Sequence, residues 1–260
     1  LIADVPVGSF LSGGLDSSAI VALAKEHVPN LNCFTIDPEG GSDDDVAEDL
    51  PYAREVAQHL NVDLEIVKIN SDNLADDLEE MIWHLDEPLA DPAPLNVLYI
   101  SRLAKERGMK VLLSGSGGDD LFTGYRRHLA LRYENIWSWL PENARNRLEN
   151  FSLKFDQSKT IGRRLGRLFN NAGATKEQRL ASCFAWARRS DLESLYSEDM
   201  RNALKLNDPN QTIIDYLKTI DNKLSPIDKL LALEQRFFLA DHNLIYTDKM
   251  SMATGVEVRV

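Results

Sequence analysis

The first 120 residues alternate short apolar runs with longer amphipathic ones. Val7 to Leu11 is a short apolar stretch that predicts a buried strand, and Ser17 to Lys25 has helical spacing. Asn32 to Ile36 predicts a second strand. Asp43, Asp44 and Asp45 precede a helix expected over residues 46–60, where acids suit the positive end of the helix dipole. Leu64 to Ile69 predicts a third strand, with Leu64, Ile66 and Lys68 on one face. A helix over 73–85 follows, then a stretch broken by Pro88, Pro92 and Pro94. Leu95 to Arg107 predicts a helix closed by Gly108, and Lys110 to Leu113 a further strand. Repeated strand–helix alternation implies right-handed crossovers and an α/β fold, a parallel sheet with helices on both faces. From about Tyr125 to Leu244 the strand-like runs vanish and amphipathic helical stretches take over. The expected division is an α/β core over 1–124 and a mainly helical part of the same domain over 125–260. Trp137, Trp139, Phe151, Phe155, Phe169, Phe184, Trp186, Phe237 and Phe238 are expected to form helical core in that second part.

Two of the predicted strands end in glycine-rich loops. The first reads SGGLDSS over residues 12–18, the second SGSGGDD over 114–120. Gly13 and Gly14 allow close approach of backbone to a phosphate, and the helix that follows points unpaired N–H groups at the same place. Ser12, Ser17 and Ser18 add hydroxyls, and Asp16 adds a carboxylate suited to magnesium. Neither a Walker A sequence nor a G-x-G-x-x-G fingerprint is present. Ligands of open α/β sheets bind outside the carboxyl ends of the strands, so both loops belong on one edge. Asp119 then either shares a metal with Asp16 or caps the turn over 120–124. In a third segment, Asp248-Lys249-Met250-Ser251-Met252-Ala253, Lys249 is either a solvated charge on a helix or a cation for bound phosphates.

Bulk properties narrow the partners. A net charge of −12 and a pI near 4.9 repel a polyanion, so no nucleic-acid partner is expected. The Lys and Arg residues between Arg126 and Arg167 read as a solvated helical face. Cys33 and Cys183 form no C-x-x-C pair, and Cys33 reads as a small core residue. With no 18-residue apolar run and no signal peptide, the expected location is cytoplasmic, with no membrane partner. The chain begins at Leu1, within the approach to its first strand, and is expected to be a fragment of a longer protein.

Taken together, SGGLDSS at 12–18, LLSGSGGDDLFTGY at 112–125 and DKMSMATGVEVRV at 248–260 resemble the synthetase domain of glutamine-dependent asparagine synthetases. That family lies within the N-type ATP pyrophosphatases, whose fold is of the adenine nucleotide α-hydrolase type. The resemblance runs the length of the chain. It implies a ligase that forms C–N bonds, spending ATP to AMP and pyrophosphate through an acyl-adenylate. The substrates would be ATP, a carboxylate acceptor and ammonia, delivered from glutamine by an N-terminal glutaminase domain not included in the chain. It also leaves a homodimer open. By resemblance, Ser12, Gly13, Gly14, Asp16, Ser17 and Ser18 hold pyrophosphate, and Leu11 and Ile36 flank the adenosine. Ser114 and Gly115 contact the nucleotide, Asp16 and Asp119 bind magnesium, and Lys249 contacts the phosphates and stabilises the adenylation transition state. Lys249, Asp16 and Asp119 are thus the expected catalytic residues.

The acceptor side departs from the family pattern. Ser116 stands where many members have Glu, in a loop reading SGEGSDE. The loop before the 95–107 helix carries Thr and Arg in known asparagine synthetases, whereas here Pro92 or a neighbour takes the place of the Arg. An Arg fork suits a substrate carboxylate, so aspartate competes with other acceptors: a cell-surface sugar, a secondary-metabolite carboxylate, or a ring-closing reaction of the β-lactam synthetase type. Ser116, Glu87 and Asp91 are the acceptor-site candidates.

Overall fold

The computed structural model describes residues 1–38, 49–69, 71–87, 89–156, 159–185, 187–204 and 208–260. The expected acidic cap at Asp43, Asp44 and Asp45, together with Pro88 and Trp186, lies outside the described residues. The chain divides into two compact units, Leu1–Asp119 with Leu239–Val260, and Asp120–Phe238.

The first unit is built on β1 (Val7–Phe10), α1 (Leu15–Lys25), β2 (Asn32–Pro38), α2 (Asp49–Leu60), β3 (Asp63–Ile69), α3 (Ser71–Leu85), α4 (Ala93–Glu106) and β4 (Val111–Leu113). Among the described residues the strands form one sheet in the order β3-β2-β1-β4-β5, with β5 spanning Glu257–Arg259. Every pairing is parallel; Gly8 lies between Asn32 of β2 and Leu112 of β4. Alternation along the strands separates two cores. Leu11, Cys33 and Leu64 pack with α1 and α2, around Val21, Ala24, Ala53 and Ala57. Phe34, Leu112 and Val67 belong to the opposite cluster, with Ile100 and Ala104 of α4.

β5 is a strand that hydrophobic pattern did not predict. Its three residues alternate Glu257, Val258, Arg259, too short a run to distinguish from a charged tail. It pairs in register with β4, and Arg259 C=O accepts from Ser114 N–H at 2.8 Å. The preceding helix, α14 (Ile245–Thr254), ends at Gly255, whose φ of +75° is the left-handed cap a glycine adopts freely. The last 22 residues therefore return to the α/β unit.

The second unit carries α5 (Gly118–Phe122, which begins in the first unit), α6 (Arg126–Glu134), α7 (Glu142–Ser152), α8 (Thr160–Leu168), α9 (Lys176–Ser182), α10 (Arg189–Leu195), α11 (Glu198–Leu204), α12 (Gln211–Thr219) and α13 (Pro226–Leu233). Its core joins Leu131, Leu180, Leu217, Leu230 and Leu233. A π-helical stretch, Glu234–Leu244, leads on towards α14. Not every aromatic here is core: Trp137 is buried, but Trp139, Phe151 and Phe155 are exposed. Nor is the basic segment uniformly solvated. The Arg127 guanidinium lies 3.9 Å from the Tyr125 ring centre and 4.3 Å from that of Phe238, and its Nε donates to buried Glu234 at 2.5 Å.

Candidate active site

β1 sits at the centre of the sheet. The chain leaves it in one direction for β2 and β3, then crosses back to place β4 on its other side. Such a reversal opens a crevice at the carboxyl ends of the two central strands. The loops over 12–18 and 114–120 follow β1 and β4, so both open onto that crevice.

The first loop is knitted by its own serines. Ser17 Oγ donates to Gly14 C=O at 3.2 Å and accepts from Ser12 N–H at 3.2 Å, and the Ser12 and Ser17 hydroxyls lie 2.9 Å apart. Ser17 is buried and braces the loop, whereas Ser12 is exposed. Gly13 has φ +83°, and a Cβ there would lie 2.4 Å from Ala53 N, so only glycine lets the loop rest on α2. α1 starts at Leu15, two residues before the sequence pattern placed it, so Asp16 occupies its first turn. Ser18 is set apart. Its hydroxyl is buried without a hydrogen-bond partner among the described residues and lines a groove between α1 and α2 with Leu15, Ala19 and Val56.

The second loop locks onto the first. A Cβ on Gly115 would fall 2.7 Å from Ser17 N, and one on Gly118 only 2.2 Å from Asp16 Cγ. The absence of side chains at both positions brings the Asp16 carboxylate against residue 118, next in the chain to Asp119. Ser116 Oγ lies 2.7 Å from Ser114 Oγ, and Ser116 N–H donates to Ser114 Oγ at 3.1 Å. Ser116 therefore stabilises its own loop. Among the described residues no group of three or more His, Cys, Asp or Glu side chains is arranged to hold a metal. Two carboxylates with substrate phosphates are nonetheless a donor set that suits magnesium, which keeps several non-protein ligands. The cradle at Gly118 seats the Asp16 carboxylate beside the residue that precedes Asp119.

Leu11 and Ile36 fall in opposite layers. Leu11 is buried in the α1–α2 core, and half-buried Ile36 packs in the α4 core. Lys249 projects from α14 and forms an ion pair with Asp86, in the connection between α3 and α4. Asp91 is occupied too. Its Oδ1 accepts from Ala93 N–H at 2.9 Å at the start of α4, and its Oδ2 lies 3.2 Å from His242 Nε2. Burial alone would raise the Asp91 carboxyl, but the His242 hydrogen bond, the Ala93 N–H and the charge of His242 together outweigh it and hold it below the usual range. Glu87 is exposed. Asp86 and His242 are the site neighbours that sequence reasoning missed; Asp86 stands beside Glu87 in the sequence and His242 lies seven residues before Lys249.

The two cysteines take no part. Burial pushes the thiols of Cys33 and Cys183 up to about 12, far from the thiolate a nucleophile requires.

A parallel α/β sheet with two interlocked glycine loops at its switch point defines a nucleotide-type site. The family model for asparagine synthase matches residues 1–260, and the chain belongs to that family. It is 32% identical over 268 residues to asparagine synthetase [glutamine-hydrolyzing] 1 of Bacillus subtilis, covering 99% of this chain and 39% of that protein. The putative asparagine synthetase of Mycobacterium tuberculosis H37Rv is also 32% identical, over 99% of this chain and 37% of its own length. Amidase chyE of Penicillium rubens is 34% identical over 168 residues, 56% of this chain and 24% of that protein. The chain thus spans about two fifths of the curated asparagine synthetases it matches. Among solved structures, NMN synthetase from Francisella tularensis aligns at TM-score 0.34 and 13% identity, covering 88% of this chain and 84% of that one.

Proposed function

We propose that the full-length protein adenylates a carboxylate with ATP and transfers the acyl group to ammonia, as an asparagine synthetase does. The observation that carries this reading is the seating of Gly115 and Gly118 on Ser17 and Asp16, which unites both loop motifs at the switch point. The substrate carboxylate attacks the α phosphorus of ATP, and the bond to the α–β bridging oxygen breaks. Pyrophosphate leaves towards Ser12, Gly13, Gly14 and the first N–H groups of α1, where backbone donors and the helix dipole favour an anion. Lys249 balances the charge that grows on the leaving group. Ser17 keeps the loop in shape, and Ser114 and Gly115 border the nucleotide. Asp16 and Asp119 would hold Mg²⁺, which neutralises phosphate charge when bound. Ammonia then attacks the acyl carbon, AMP departs with its electron pair, and the nitrogen loses a proton to solvent. In this reading aspartate is the acceptor, and glutamine supplies the ammonia through the remainder of the protein. Two free cysteines suit a reducing cytoplasm.

A second reading rests on the acceptor side. Ser116 is turned onto Ser114, Asp91 is taken up by α4 and His242, and Pro92 occupies the cap of α4. None of these offers a cationic fork to a free amino-acid carboxylate. That arrangement favours amidation of a different carboxylate. Exchange of labelled pyrophosphate into ATP, measured on the full-length protein with a panel of carboxylates, separates the two. Exchange dependent on aspartate supports the first reading; exchange with a uronic acid and none with aspartate supports the second. Asp16→Ala should lower exchange by about 10²-fold or more. Exchange at the unaltered rate in that variant would remove Asp16 from the site, and no exchange with any carboxylate would remove both readings.

A further inference from the structure

We infer that Asp86 is a positioning residue, whose carboxylate holds the Lys249 ammonium at the phosphate edge of the sheet; this rests on the proposed role of Lys249.

The placement follows from topology. α4 runs into the start of β4 through Gly108, so its first residues lie at the opposite, carboxyl-terminal edge. Arg102 of α4 reaches back to Asp77 and Glu80 of α3, while Leu85 at the end of α3 shares a cluster with Leu95 and Leu98 near the start of α4. The two helices are therefore antiparallel, and Asp86, which follows Leu85, sits at the same edge as the glycine loops. α14 ends where β5 begins, so its earlier residues also rise towards that edge.

Lys249 would be a loose tool without a partner. Its side chain is more than a third exposed, and four rotatable carbons leave the ammonium many positions. The ion pair with Asp86 selects one of them. An ammonium has three donors, so one accepted by Asp86 leaves two for phosphate oxygens. Asp86 is itself held in an uncommon conformation, φ +65°, which Asp and Asn tolerate better than other residues that bear a Cβ. The same connection is tied a second time, by Asp91 to His242. His242, near the end of the π-helical stretch, and Lys249 of α14 thus both reach this connection. Met250, next in the chain to Lys249, packs with Leu85, Leu95 and Leu98. Two carboxylates on one connection thus engage His242 and Lys249.

The test is pyrophosphate exchange in the full-length protein with Asp86→Asn, Asp86→Glu, Lys249→Met and the double variant Asp86→Asn with Lys249→Met. Asn keeps the left-handed backbone and removes only the charge. Asp86→Asn should lower the exchange rate about 10- to 100-fold, with the KM for ATP changed by no more than about twofold. Asp86→Glu should recover part of that loss. The double variant should be no slower than Lys249→Met alone, because Asp86 acts through Lys249. An unaltered rate in Asp86→Asn beside an inactive Lys249→Met would overturn this inference and leave the adenylation reading standing, as would losses that simply multiply in the double variant. Full exchange in Lys249→Met would overturn the role of Lys249 and this inference with it.

Discussion

At Gly118 there is no room for one further carbon. A methyl group there would sit 2.2 Å from Asp16 Cγ and 2.5 Å from its Oδ2. Those atoms are the end of a short side chain, and the carboxylate would have to rotate out of its cradle. Gly118→Ala should therefore lower pyrophosphate exchange about 10²-fold, the scale expected when a group near the reacting phosphate is displaced by an ångström. The melting temperature should fall little, since alanine suits a helical position and α5 begins at residue 118. Normal exchange in the variant would show that Asp16 need not occupy that position. The sequence made each loop legible, because Gly, Ser and Asp after an apolar run carry their own chemistry. That Gly115 and Gly118 are empty for the sake of Asp16 and Ser17 was not legible, because the pairs are about 100 residues apart. Only the placement of β4 beside β1 brings them together.

Elements read well from the chain where the apolar period was long. α4 and its Gly108 cap appear close to where spacing puts them, starting two residues earlier because Pro92 and Asp91 close its first turn. β5 escaped because three residues carry no period, and the π-helical stretch escaped because a period of 3.6 does not reveal the wider winding. That stretch delivers His242 to Asp91, and the pair has a consequence in acid. The folded-state carboxyl of Asp91 is held below its usual range. A depressed value contributes stability above the unfolded carboxylate value of about 3.9, and loses it as pH falls through the folded value. Asn can still accept the Ala93 N–H, so Asp91→Asn removes mainly the charge beside His242. At pH 7 the variant should be about 1.5–3 kcal/mol less stable in urea unfolding. The gap should narrow as pH falls below 4 and close once Asp91 is protonated in the native protein. A gap that stays constant with pH would mean that the ion pair adds nothing.

For the molecule as a whole, charge was the least reliable guide. A formal net charge of −12 describes the average surface, yet one of the acids within it is wholly internal. Glu234 has no exposed surface; its Oε1 takes the Arg127 Nε–H, and its Oε2 lies 2.7 Å from His128 Nε2. Tyr125 N–H donates to His128 Nδ1 at 3.1 Å, which assigns the ring proton to Nε2 and makes His128 a neutral donor to Glu234. Arg127, half-buried against Tyr125 and Phe238, is left as a cation without its anion if Glu234 is removed. Breaking a buried pair on one side is destabilising by about 3–5 kcal/mol, because the remaining charge stays desolvated. Each compact unit has its own apolar cluster, so the loss should be local to the second unit, which holds Arg127, His128 and Glu234. Glu234→Gln keeps the shape and removes the charge. In the full-length protein it should speed amide hydrogen exchange in α6, α9, α12 and α13, while amides of β1, β2 and β4 keep their protection. Equal acceleration in the sheet would show that the two units open together, and no acceleration in the helices would show that Arg127 is held by its aromatic neighbours alone.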